Sequence, residues 1–125
     1  MASIQRIGFS QDQNDLSRIF KALGHPARIA IVEYLLQNEK VICKNMTYEF
    51  PISQPAISKH LQILMESGIL GYEKIANATY YAVNPMLVNY AKEAITDLSQ
   101  LAKSNDSDFS RTVFQSSVFP EFFSD

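Results

Sequence analysis

The sequence predicts a mostly helical α+β domain carrying one two-stranded β-hairpin. Three observations predict it. Apolar residues recur at three- and four-residue spacing through most of the chain, the mark of amphipathic helices. The period changes once, at Ile69–Ala76 and Thr79–Val83, to short runs rich in Ile, Tyr, Val and Thr. And 125 residues, 46 % of them apolar and 19 % charged, suffice for one core and exclude a multidomain enzyme or a wholly disordered chain.

Residues 12–23 read as a helix, with Leu16, Ile19, Phe20 and Leu23 on one stripe and Gly24 ending it. Pro26 suits the first turn of a second helix, where its missing N–H costs nothing. Ile29, Val32 and Leu36 are expected on its inner face, flanked by Ile31 and Leu35, and Asn38 is its stop. Residues 45–50 allow only a short helix, with Asn45 as N-cap and Met46 and Phe50 on one side. Pro51 and Ile52 make a tight turn. Ser53 then caps a further helix with Pro55 in its first turn, which runs to about Ser67 and stops at Gly68. Its buried stripe is Ile57, Leu61 and Leu64. Asn77-Ala78 is the expected hairpin turn, although no Gly follows the Asn. Asn84 and Pro85 open a last helix, where Leu87, Ala91, Ala94, Leu98 and Leu101 fall at 4-3-4-3 spacing. Tyr90, Ile95 and Ala102 widen that seam, which calls for a partner surface.

A short helix, a tight turn and a capped polar helix make a helix-turn-helix, and a hairpin straight after it makes a wing. Such a second helix buries one stripe and offers short polar side chains to a major groove. Gln54 can read base edges, because an amide both donates and accepts. Ser53, Ser58 and Lys59 can meet phosphate near the helix N-terminus. Pro55, His60, Gln62, Lys74 and Asn77 complete the candidate double-stranded DNA-binding set. His60 borders the buried face and reads chiefly as a packed, hydrogen-bonded histidine, with DNA contact as the alternative. His25 reads as a cap. Arg28 is either a phosphate contact or a structural ion-pair partner.

Leu-Gly-His-Pro-Ala-Arg (23–28) and Ser-Gln-Pro-Ala-Ile-Ser-Lys-His-Leu (53–61) resemble the ArsR/SmtB family of winged-helix repressors. Glu-Ser-Gly-Ile-Leu (66–70), and Tyr80-Tyr81 before Asn84-Pro85, extend the likeness, which spans roughly residues 12–103. The resemblance implies a homodimer paired through the first and last helices, here Leu16 and Ile19 with the 87–101 seam. It also implies operator binding near the gene's own promoter and release by an inducer, for which the residues indicate no identity.

Departures from the family pattern bear on sensing. Metal-responsive members open the short helix with Cys-x-Cys-Asp. The corresponding positions here are Ile42, Lys44 and Asn45, with Cys43 as the spacer. A charged lysine is no metal ligand. The other familiar site needs carboxylates and histidines on the last helix, which offers only Glu93 and Asp97. No metal and no cofactor are therefore expected. Cys43 reads as a small buried hydrophobe or, since two-cysteine switches need a resolving partner, as a thiol sensor only with the symmetry mate's help.

The net charge is −2, so any affinity for nucleic acid must be local. Over residues 38–84 four lysines (40, 44, 59, 74) meet four glutamates (39, 49, 66, 73), which predicts modest, salt-sensitive DNA binding. That balance also favours the rival class, a winged-helix protein–protein interaction module. No nucleophile–base set and no phosphate-cradling glycine loop appears, so enzyme activity is not expected. No apolar run reaches membrane-spanning length, Met1–Ser10 has no signal-peptide pattern, and a single cysteine fits a reducing cytoplasm.

The expected organisation is an N-terminal arm (1–11), a winged-helix DNA-binding and dimerisation domain (12–103) and a Phe-rich tail (104–125). The tail holds five of the eight phenylalanines, Phe109, Phe114, Phe119, Phe122 and Phe123. They are expected to pack on the core or across the dimer, or else to enclose an effector pocket beside the dimer helices.

Overall fold

The computed structural model describes residues 8–105 and 107–115. Its elements are α1 (Gln11–Leu23), α2 (Pro26–Gln37), α3 (Cys43–Glu49), α4 (Gln54–Glu66), β1 (Leu70–Ile75), β2 (Ala78–Val83), α5 (Pro85–Ser104) and α6 (Asp108–Gln115). The chain divides into two compact units at residue 92, inside α5. Phe119, Phe122, Phe123 and most of the 1–11 arm lie outside the described residues.

Local chemistry sets the helix starts. Ser10 and Gln13 form a reciprocal capping box at α1: the Gln13 N–H donates to Ser10 Oγ and the Ser10 N–H to Gln13 Oε1. His25 caps α2 through Nδ1, which accepts the Ala27 N–H at 3.0 Å. The Asn84 side chain accepts the Met86 N–H at the start of α5. The short helix begins two residues earlier than its sequence suggests, with Ile42 as N-cap. Asn45 stands one turn in and accepts the Ile42 N–H at 2.9 Å through Oδ1. Its side chain holds the helix start from the far side of the first turn.

Ile19, Ala22, Ile31, Val32, Leu35, Val41, Met46, Ile57, Leu61, Leu64, Ile69, Leu70 and Ala91 form one core, with no buried polar side chain among the described residues. The α4 stripe Ile57, Leu61 and Leu64 is at most 1 % exposed, as its spacing predicts. The inner face of α2 differs from expectation: Ile31, Val32 and Leu35 are buried, whereas Ile29 and Leu36 are exposed. That helix is apolar on nearly every side, so no polar face marks which way it turns. Ile19 and Ala91, expected at a dimer interface, are instead sealed inside the core of a single chain. An apolar stripe specifies burial, not whether the covering surface comes from the same chain.

At the end of α4, Gly68 takes φ +87° and its N–H reaches the Met65 carbonyl at 3.0 Å. A Cβ there would be strained and would stand 3.0 Å from Leu87 Cδ1. The chain then enters an antiparallel hairpin. Leu70, Tyr72 and Lys74 pair with Val83, Tyr81 and Thr79; Gly71, Glu73 and Ile75 pair with Ala82, Tyr80 and Ala78. The turn residues are therefore Ala76-Asn77, one position before the expected pair. The hairpin is fastened at two further points: the Tyr81 N–H donates to the Val41 carbonyl at 3.1 Å, and the Asn84 N–H to the Ile69 carbonyl at 2.7 Å.

Ala76 has φ +56°, the left-handed conformation that costs an L-residue about 1–2 kcal/mol. Ala76→Gly is expected to stabilise the fold by about 0.5–1 kcal/mol, the relief of strain exceeding the added entropy cost of glycine. Thermal melting tests this, and a lower midpoint would contradict the turn assignment.

The second unit comprises the C-terminal part of α5 together with α6. Ile95, Leu98 and Leu101 are exposed on α5. The α6 helix is one that the sequence pattern did not predict. Ser107 caps it by accepting the Ser110 N–H at 3.2 Å, and Arg111 pairs with Asp108 at 2.8 Å. Phe109 and Phe114 remain 79 % and 64 % exposed within one chain.

Candidate nucleic-acid interface

The Ser53 hydroxyl accepts the Ala56 N–H at 3.3 Å, and its carbonyl accepts the Ile57 N–H at 3.0 Å. With Pro55 lacking an N–H, the first turn of α4 retains one free donor, the Gln54 N–H. This helix start therefore has fewer donors left for an anion than the motif suggests. Gln54, Ser58 and Gln62 follow one another at four-residue spacing and all three are exposed, as are Pro55 and Lys59. Gln62 donates to Glu66 at 3.3 Å, along the helix surface.

A polar cleft of about 390 Å³ opens between α3, α4 and the wing tip. Its walls are Ile42, Cys43, Lys44, Gln54, Ser58, Asn77, Ala78, Thr79 and Tyr81. The fold thus brings Gln54 and Ser58 of α4 to Asn77 of the turn, residues more than 18 positions apart in the chain. It adds Lys44 and Thr79, for which the sequence carries no local signal. Lys74 lies outside the cleft, exposed on β1 opposite Thr79. Cys43 Sγ stands 3.9 Å from Ser58 Oγ, half-buried and beside the helix expected to read DNA. Burial, with the nearby Cys43 and Tyr72, raises the Tyr81 pKa above its ordinary value.

His60 points elsewhere. Its Nδ1 lies 3.1 Å from Arg28 Nη1, and its ring is tilted against His25 with centroids 4.6 Å apart. An arginine only donates, so His60 Nδ1 is the acceptor and the proton of the neutral ring is on Nε2. Arg28 also donates to the Ala22 and Lys21 carbonyls at the end of α1. It fastens α1, α2 and α4 together by hydrogen bonds to carbonyl and imidazole acceptors and has no ion-pair partner among the described residues. His60 is part of that fastening.

Burial, followed by the charges of His25, Arg28 and Lys59, lowers the His60 pKa below its ordinary value of 6.5. The unfolded chain therefore takes up this proton first as pH falls. The stability contribution is complete above about pH 6.5 and declines as pH drops toward the folded pKa. Between about pH 7.5 and pH 5.5, wild type should lose more thermal stability than His60→Gln. Parallel melting curves for the two would contradict this account. On the other side of the core, the Tyr90 hydroxyl donates to Asp12 at 2.8 Å, tying α5 to α1; that bond is the main cause of the raised Tyr90 pKa.

Among the described residues, no three His, Cys, Asp or Glu side chains gather closely enough to hold a metal ion, and no helix is long and apolar enough to cross a membrane.

A buried-stripe helix with a free polar face, set between a short preceding helix and a hairpin, defines a winged helix-turn-helix protein. Residues 25–72 match the family described as "Bacterial regulatory protein, arsR family". An uncharacterized HTH-type transcriptional regulator of Methanocaldococcus jannaschii is 34 % identical over 67 residues, which are 54 % of this chain and 75 % of that protein. The transcriptional repressor SdpR of Bacillus subtilis is 30 % identical over 69 residues, 55 % of this chain and 76 % of SdpR. The solution structure of a homodimeric winged helix-turn-helix DNA-binding domain from Mycobacterium bovis superposes with a TM-score of 0.58 at 19 % identity, covering 80 % of this chain and 97 % of that one. The chain belongs to the arsR family of regulatory proteins.

Proposed function

We propose that this protein is a cytoplasmic DNA-binding transcriptional repressor that acts as a homodimer on a two-fold symmetric operator. The observation that carries the reading is the asymmetry of α4. Three side chains anchor it in the core, while Gln54, Ser58 and Gln62 form an uncovered polar face beside Asn77 and Lys44. A protein–protein module would be expected to present an apolar patch there instead. Each α4 enters a major groove, the wings meet flanking backbone, and half-sites lie about one helical turn apart or a multiple of it. Family membership, the name of the Bacillus repressor and the homodimeric neighbour support the reading.

Of the expected dimerisation residues, Leu16, Leu87, Ala94, Leu98 and Leu101 are free to contribute, the last two being exposed. Phe109 and Phe114 join them as surface that pairing would cover. Deleting residues 104–125 is expected to weaken dimerisation, read by analytical ultracentrifugation. Unchanged dimerisation and stability would refute the packing role of the tail.

The repressor is independent of metal, because Ile42, Lys44 and Asn45 stand where relatives of the metal-sensing kind supply ligands. Stoichiometric, tightly held metal in protein purified without chelator would refute this. Fluorescence anisotropy of labelled DNA from upstream of the gene, titrated at several salt concentrations against scrambled DNA, tests the central reading. Selective binding that falls steeply with salt supports it. Absence of binding at low salt would instead favour the interaction module.

A further inference from the structure

A second cavity lies at the opposite end of α4 from Gln54. It measures about 360 Å³ and is lined by Arg18, Lys21, Ala22, Arg28, Ile63, Glu66 and Ser67. Three cationic side chains from two helices converge there over an apolar floor of Ala22 and Ile63. Each cation is differently committed. Arg28 donates to two carbonyls and to His60. Arg18 pairs with Asp15 at 2.6 Å. The Lys21 ammonium has no partner among the described residues. Glu66 is the one acidic side chain in the lining and is turned toward Gln62. Arg18 and Ser67 also line an adjoining cavity of about 380 Å³, whose other walls are Asp15, Ile19, Met86, Leu87 and Tyr90; the Asp15 carboxylate is the one already paired with Arg18. Three cations over the apolar floor of Ala22 and Ile63 fit a small amphipathic anion.

We propose that this cavity binds a small organic anion, a carboxylate or phosphate monoester with a short apolar tail, and is the effector site of the repressor. The head group sits between Lys21 and Arg18 and against the edge of the Arg28 guanidinium; the tail lies over Ile63. Two features connect the site to α4. Ile63, Glu66 and Ser67 belong to that helix and its cap, about 14–20 Å along the axis from Gln54. Arg28 holds His60, so an anion that draws the guanidinium toward itself loosens the fastening of α4 to α1. The effector role rests on the DNA-binding reading; the anion site itself does not.

Isothermal titration calorimetry on the full, DNA-free chain with octanoate and with hexyl phosphate tests the site. The expected result is saturable uptake of one molecule per chain by at least one probe. Lys21→Glu should weaken it about tenfold or more, since the charge facing the head group is reversed. Lys92→Glu, on α5 outside the cavity, should leave it unchanged. No saturation up to about 10 mM, or equal affinity in Lys21→Glu, would overturn the proposal. So would a finding that Lys21→Glu abolishes DNA binding while probe uptake is absent, because the cations would then serve DNA phosphates. If DNA binding fails for wild type, calorimetry still decides the anion site.

Discussion

Leu61→Ala is expected to destabilise the protein by about 2–5 kcal/mol, a large part of the 5–15 kcal/mol typical of a whole domain. Leu61 is 1 % exposed at the centre of α4, between Ile57 and Leu64, where α4 packs on α1, α2, α3 and β1. Removing its side chain leaves a void bounded by elements that Arg28, the Gly68 turn and the hairpin base already hold in place, so collapse is limited. A fall in melting temperature on the order of 10–20 °C should follow. A shift of only a few degrees would mean that the core closes around the gap and that α4 is less tightly fixed than its burial indicates.

Gln54→Ala is expected to cost about 1–3 kcal/mol of discrimination between operator and scrambled DNA, because an amide facing a base edge supplies a donor and an acceptor together. Lys59→Ala should behave differently. In the proposed complex its ammonium faces phosphate, so affinity should fall for all sequences alike and the salt slope should shrink by about one unit. Equal loss of specificity from both substitutions would contradict this division of roles. Equal retention would remove α4 from the interface altogether.

The parts legible in the sequence were those where polar and apolar positions alternate cleanly or where a capping side chain has one use. Ser53, Pro55 and the 57/61/64 stripe placed α4 to within a residue. The uniformly apolar α2 offered no such contrast, and its buried face came out rotated. The wing turn lies one residue earlier than the sequence suggests, because Asn77 invites a turn beginning at itself, whereas the register puts the left-handed residue at Ala76. The α6 helix was hidden among polar residues, although Ser107, Asp108 and the Phe109/Val113 spacing carry its signal. In the candidate site, exposure on α4 followed from periodicity alone. Contacts between distant positions did not: neither the Arg28–His60 bond nor the meeting of Lys44 with Gln54 and Asn77 leaves a local trace.

The bond from Tyr81 to Val41, with that from Asn84 to Ile69, has a thermodynamic consequence. Both anchor the hairpin to backbone already fixed by the core, on either side of α3 and α4. The wing is therefore preorganised, and in the proposed DNA complex little ordering entropy would be lost there on docking. The binding heat capacity should accordingly match the surface buried by two rigid bodies, without the excess that accompanies coupled folding.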